Sequence, residues 1–168
     1  NFCFTINMPL QATSATVEDI NPKPALANTN QLTGMRVMLV DDDEMNRFFG
    51  EKLLQACGVS AVVAGSGEQA LEYLQQDTFD LMLLDVSMPG MNGYQTVQEI
   101  RRHKRFAGVI VVALTAHAIA GERERCLESG MDDFMSKPFE LPDLQTMLSK
   151  HAGKRISASP ATSSSSII

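Results

Sequence analysis

Phe79-Asp80-Leu81-Met82-Leu83-Leu84-Asp85-Val86-Ser87-Met88-Pro89-Gly90-Met91-Asn92-Gly93 decides the fold. Phe79 and the run Leu81-Met82-Leu83-Leu84 are apolar without alternation, as expected of a strand covered on both faces. The run stops on a single acid, Asp85. Met88-Pro89-Gly90 and Asn92-Gly93 follow, and Pro, Gly and Asn-Gly each favour loop backbone for a distinct steric reason. Asp85 is therefore placed at the carboxyl end of a buried strand, the edge where open α/β sheets bind ligands.

Outward from this strand, apolar runs alternate with helical patterns. Strands are expected over 35–40, 59–64, 79–85, 109–115 and 133–136, and helices from 44 to about 57, then over 66–76, 93–103, 122–129 and 141–151. Ser66 suits a helix N-cap, and Gly58 and Gly130 suit helix ends. Five strand–helix alternations with short connections require right-handed crossovers and helices on both faces of a parallel sheet. The strand order 2-1-3-4-5 gives a flavodoxin-like, doubly wound α/β domain with its switch point between strands one and three.

The flanks differ in composition. Residues 1–10, alternating as a short strand over 2–10, are expected to be the tail of a preceding domain, and 11–33 are an Ala/Thr/Asn/Pro/Ser linker without apolar periodicity. The main domain is expected over 34–152 and a disordered Ser-rich tail over 153–168. The formal net charge is −6, which disfavours a nucleic-acid surface, and no apolar run approaches a membrane span. The one basic run, Arg101-Arg102-His103-Lys104-Arg105, fits a solvated helix end. Cys3, Cys57 and Cys126 form neither a metal spacing nor a disulfide framework, as in a reducing cytoplasm; Cys57 and Cys126 are expected in the core.

Polar residues collect at the carboxyl ends of the strands: Asp41 and Asp42 after the first, Asp85 at the third, Thr115 at the fourth and Lys137 after the fifth. Crowded carboxylates need a cation, and hard oxygen donors suit Mg²⁺. With Lys137 and the Thr115 hydroxyl they outline a pocket for a tetrahedral oxyanion, which a phosphoryl group on Asp85 would fill. A plainer reading treats Asp41 and Asp42 as helix N-caps.

The motifs Val40-Asp41-Asp42, Leu84-Asp85, Met88-Pro89-Gly90-Met91-Asn92-Gly93, Leu114-Thr115-Ala116 and Ser136-Lys137-Pro138-Phe139, in this order, resemble the receiver domains of two-component response regulators. The resemblance implies that Asp85 is the phospho-acceptor and that Asp41 or Asp42, Asp85 and the Ser87 carbonyl hold Mg²⁺. It further implies that Thr115 and Lys137 contact the phosphoryl group, that the peptide bond before Pro138 is cis, and that Phe134 is the aromatic switch. The resemblance also implies that the domain catalyses its own phosphorylation and dephosphorylation. His117 is expected as an exposed loop residue, with tuning of dephosphorylation as the alternative.

Glu44-Met45-Asn46-Arg47 and the run over 116–123 resemble the receivers of hybrid histidine kinases, and residues 2–10 are similar to the closing strand of a kinase ATPase domain. Phe49, Leu53 and Cys57, with Leu54 or Ala56 beside them, suggest the buried stripe of the first helix, leaving Met45 and Phe48 outside it as a docking patch or, on the plainer reading, as an extension of the core. The implied partners are a histidine kinase domain, in the same chain or in another, and a histidine phosphotransfer domain. This segment is then expected in the cytoplasm without membrane contact, with anchoring of its parent in the inner membrane left open. The alternatives are a stand-alone receiver acting as a phosphorylation-switched binding module and an aspartyl phosphatase. Against the phosphatase, Ser87 stands where such enzymes place a second acid.

Overall fold

The computed structural model describes residues 32–116 and 121–153. The strand-like segment at 2–10, His117 and the residues beyond 153 lie outside the described residues, as does most of the expected linker. Five strands, β1 (Arg36–Val40), β2 (Ser60–Ala64), β3 (Leu81–Asp85), β4 (Ile110–Thr115) and β5 (Asp133–Ser136), pair in parallel in the order 2-1-3-4-5. The helices are α1 (Glu44–Ala56), α2 (Gly67–Gln76), α3 (Gly93–Arg102), α4 (Glu122–Glu128) and α5 (Leu141–Ala152). A single 3₁₀ turn, Lys104–Phe106, separates α3 from β4.

The doubly buried reading of β3 holds: all five of its residues are buried. Successive side chains serve opposite faces. Met82 and Leu84 join Met38, Val97, Ile100, Val111 and Cys126 in the layer under α2, α3 and α4. Leu81 and Leu83 join Val37, Leu39, Leu54, Leu114, Leu144 and Leu148 in the layer under α1 and α5. Cys57 and Cys126 are both buried free thiols. Leu32, near the end of the expected linker, also packs into the second layer, where its carbonyl accepts from the Met35 N–H at 3.0 Å.

The stripe on α1 differs from expectation at Phe49, while Leu54 and Cys57 are buried and Leu53 packs against the core as expected. Phe49 is 61 % exposed, beside Met45 at 61 % and Phe48 at 52 %, and the residues that α1 buries are Gly50 and Leu54. The cause is a close approach. A Cβ on Gly50 would lie 2.4 Å from Leu39 Cδ2, so the helix meets β1 through its glycine and turns the neighbouring phenylalanine outward. Hydrophobicity alone points to Phe49 for the core because glycine carries no hydrophobic signal.

The basic run is the solvated helix end expected over 102–105, where all four residues are exposed, and departs from it at Arg101. Arg101 donates to the carbonyls of Gly130 at 2.9 Å and Val109 at 3.0 Å and pairs with Asp132 at 2.6 Å, stitching α3 to the loop before β5.

Candidate functional site

Parallel pairing brings the ends of β1, β3, β4 and β5 to one edge of the sheet, and the registers set the neighbours there. Val40 pairs with Leu84, Asp85 with Leu114, and Thr115 with Ser136. The residues just beyond these pairs, Asp41 and Lys137, necessarily flank Asp85.

Asp41 and Asp85 are 1 % and 3 % exposed, and Thr115 is 2 % exposed. Two carboxylates so far from water require a cation and hydrogen-bond donors. Lys137 supplies the cation: its ammonium donates to Asp85 Oδ2 at 2.6 Å and to Asp41 Oδ2 at 3.0 Å. Burial by itself would lower the Lys137 pKa; the bonds to Asp85 and Asp41 outweigh it, so the ammonium is held above the ordinary lysine value. The peptide bond joining Lys137 to Pro138 is cis, and the Lys137 N–H donates to the Thr115 carbonyl at 2.7 Å. The other Asp85 oxygen, Oδ1, accepts from the Ser87 N–H at 2.9 Å.

The capping alternative for Asp41 and Asp42 is resolved by their neighbour. Asp43 is the N-cap of α1, its carboxylate accepting from the N–H groups of Met45 and Asn46. Asp41 instead faces Lys137 and Asp85, while Asp42 is exposed. Oxygens of Asp41, Asp42 and Asp85 all lie within 4.8 Å of one another. Such an all-carboxylate set suits a hard divalent ion that retains waters, as Mg²⁺ does.

Two contacts at this edge carried no signal in residue type alone. Asn46 and Arg47, on the first turn of α1, reach back to the acid loop. Gly93, the first residue of α3, sits where a Cβ would be 2.4 Å from the Asp85 carbonyl oxygen and 2.8 Å from Val86 Cα. Backbone on both sides leaves nothing to rotate away. Gly93→Ala is expected to lose about 3 kcal/mol, the upper part of the usual overpacking range. Urea denaturation measures it, and a stable variant would show that the loop can yield.

Phe134 lies on β5, half-buried against the core, with the Arg123 guanidinium of α4 5.9 Å from its ring centroid. Tyr94, next to Gly93, donates to Glu122 Oε1 at 2.6 Å and so ties the start of α3 to the start of α4. On α1, Phe48 and Phe49 make an edge-to-face pair 6.0 Å apart, and the Lys52 ammonium lies 5.6 Å from the Phe48 ring centroid. Among the described residues, no helix is long and apolar enough to cross a membrane.

Residues 37–149 match the family model for the response regulator receiver domain. The chain belongs to this family. It is 40 % identical over 121 residues to the sensor protein GacS of Pseudomonas syringae pv. syringae, covering 70 % of this chain and 13 % of GacS. To the sensor histidine kinase RcsC of Escherichia coli K12 it is 36 % identical over 142 residues, 81 % of this chain and 14 % of RcsC. The chain thus spans about one-seventh of the length of these kinases. Among solved structures it is similar to the receiver domain of the sensor histidine kinase PA1611 from Pseudomonas aeruginosa PAO1, with a TM-score of 0.67 and 34 % identity. That likeness covers 72 % of this chain and 99 % of the PA1611 domain, which was crystallised with a magnesium ion coordinated in its active-site cleft. This protein is a receiver domain of two-component phosphorelay type, homologous to the receivers of sensor kinases.

Proposed function

We propose that this receiver accepts a phosphoryl group on Asp85 from a kinase histidine and passes it to a histidine phosphotransfer domain. The observation that carries the reading is the single ammonium of Lys137 bonded to both Asp85 and Asp41 at the sheet edge. It sets a cation against a buried acceptor carboxylate that lies beside a second acid, and an ionised carboxylate is the form that can attack phosphorus.

In the transfer, a carboxylate oxygen of Asp85 forms a new P–O bond while the P–N bond of the phosphohistidine breaks, and the departing imidazole keeps that electron pair and takes a proton from water. Little covalent work falls to the protein, so positioning and neutralisation dominate. Lys137 pairs with an oxygen of the transferring group. Thr115, at the end of β4, donates its hydroxyl to another. Asp41, Asp42, Asp85 and the Ser87 carbonyl would hold Mg²⁺, whose chemistry when bound is to neutralise the negative charge of the phosphoryl oxygens. A Thr115 side chain drawn toward the phosphoryl group makes room for Phe134, coupling the site to α4, β5 and α5 through packing alone. Met45 and Phe48, joined by Phe49, form the docking face for the phosphotransfer domain. The reading places the chain within a hybrid sensor kinase and on the cytoplasmic side of the cell.

Acetyl phosphate with Mg²⁺ tests the chemistry without any partner. One phosphoryl group per chain is expected by intact mass, and EDTA should prevent its incorporation. Absence of incorporation by the wild-type chain in the presence of Mg²⁺ would overturn the reading.

A further inference from the structure

Asp41 and Asp42 occupy a loop between a strand and a helix, and the loop's own hydrogen bonding, from the Asp43 N–H to Asp41 Oδ1, reaches one of the two carboxylates and not the other. The first turn of α1 supplies what the loop lacks. One guanidinium nitrogen of Arg47, Nη1, donates to the carbonyls of both Asp41, at 2.7 Å, and Asp42, at 2.8 Å. The same guanidinium lies beside Gly65, at the end of β2. The amide of the preceding residue, Asn46, approaches both oxygens of Asp41, Oδ1 at 3.2 Å and Oδ2 at 3.3 Å. Asp41 Oδ1 also accepts from the Asp43 N–H at 2.9 Å.

We infer that Asn46 and Arg47 form a positioning brace that preorganises the acid loop for a divalent cation. Arg47 grips consecutive backbone carbonyls, which turns the loop's dipoles away from the site and leaves the side chains to face Asp85. Asn46 fixes the plane of the Asp41 carboxylate. Neither residue is a ligand; both act through the acids. This inference rests on the Mg²⁺ reading above.

Charge and position make opposite predictions for Arg47, which sharpens the test. A guanidinium beside a cation site repels the cation, so if Arg47 acted through its charge, removing it would tighten Mg²⁺ binding. If it acts as a brace, removing it frees the loop and weakens binding, as loss of outer partners of metal ligands does by about tenfold or more.

The experiment is calorimetric titration of Mg²⁺ into the full chain, wild type and Arg47→Met, Arg47→Lys and Asn46→Ala, with thermal unfolding in EDTA alongside. The brace predicts about tenfold weaker binding for Arg47→Met, an intermediate loss for Arg47→Lys, which keeps a charged donor but not the rigid, planar guanidinium that aims it, and a comparable loss for Asn46→Ala. Affinity that is unchanged or tighter in Arg47→Met, whatever happens to thermal stability in EDTA, overturns the brace while leaving the Mg²⁺ reading intact. A purely structural role would lower the unfolding temperature in EDTA and leave the affinity of the folded fraction unchanged. Should Arg47→Met fail to fold, Asn46→Ala, which leaves the backbone grip in place, decides in the same terms. Wild-type chain that binds no Mg²⁺ removes the reading and the brace together.

Discussion

Asp85→Asn is expected to incorporate no phosphoryl group from acetyl phosphate or from a phosphorylated partner, and yet to remain fully folded. The amide keeps the shape of the carboxylate but lacks the anionic oxygen that attacks phosphorus. The substitution also removes one of two buried acids that share the Lys137 ammonium, leaving the bond between Lys137 and Asp41 in place. Its stability should therefore equal or exceed that of the wild type. Lys137→Met is the contrasting case. It leaves Asp41 and Asp85 buried with their shared cation gone, a change that in buried ion pairs typically destabilises by about 3–5 kcal/mol. Because the Lys137 pKa is raised in the fold above its ordinary 10.5, the stabilisation it gives is complete at all lower pH. It fades only as pH climbs through the higher folded value, so the difference between wild type and Lys137→Met is constant across the neutral range on the lysine's account. Mg²⁺, by restoring positive charge beside the two acids, should stabilise Lys137→Met more than the wild type. Intact mass after acetyl phosphate treatment and thermal unfolding with and without Mg²⁺ measure all of this. Phosphate retained on Asp85→Asn would sink the assignment of the acceptor, and unaltered stability of Lys137→Met would show that the acids do not depend on that ammonium.

The parts of this architecture legible in the sequence were those written in residue type. The unbroken apolar run of β3 could only be covered on both faces, and its abrupt end on Asp85 located the sheet edge. Asp41, Asp42, Thr115 and Lys137 then fell into place because parallel strands of similar length finish together. What stayed hidden was written in close approach and in backbone contact. Gly50 carries no hydrophobic signal, so hydrophobicity points to Phe49 for the stripe of α1 although the helix meets Leu39 through the glycine. Three consecutive acids each satisfy the requirement for an N-cap, and only geometry picks Asp43. Arg47 acts on carbonyl groups, which every residue possesses, so no pairing of charged letters could reveal it. Gly93 resembles an ordinary turn glycine until the Asp85 carbonyl is seen against it.

The outward turn of Phe49 changes what is expected of the docking face. Met45 and Phe49 are separated by one helical turn, and Phe48 stacks edge-to-face on Phe49, so the three form one continuous apolar surface, with Lys52 against its Phe48 side. Large exposed aromatic and methionine side chains are expensive to leave in water and are typical of sites that pack onto a partner. Truncating the central anchors of such an interface removes about 2 kcal/mol or more each. Replacing Met45, Phe48 and Phe49 together with Ser is therefore expected to slow phosphoryl exchange with a histidine phosphotransfer domain by about a hundredfold or more, since such losses do not add in full and even about 2.8 kcal/mol in total is two factors of ten. Labelling by acetyl phosphate should continue at the wild-type rate, because a small donor needs no docking face. Stability should hardly change, as none of the three side chains is part of the core. Phe49→Ser alone separates the two views of α1. A core residue at that position would destabilise the domain by several kcal/mol when truncated so far, whereas an exposed anchor leaves the fold intact and weakens only the transfer. Stopped transfer assays against a phosphorylated phosphotransfer domain, read beside urea denaturation of the same variant, give both numbers. Transfer at the wild-type rate in the triple variant would reject this face and move the contact elsewhere on the sheet edge around Asp85.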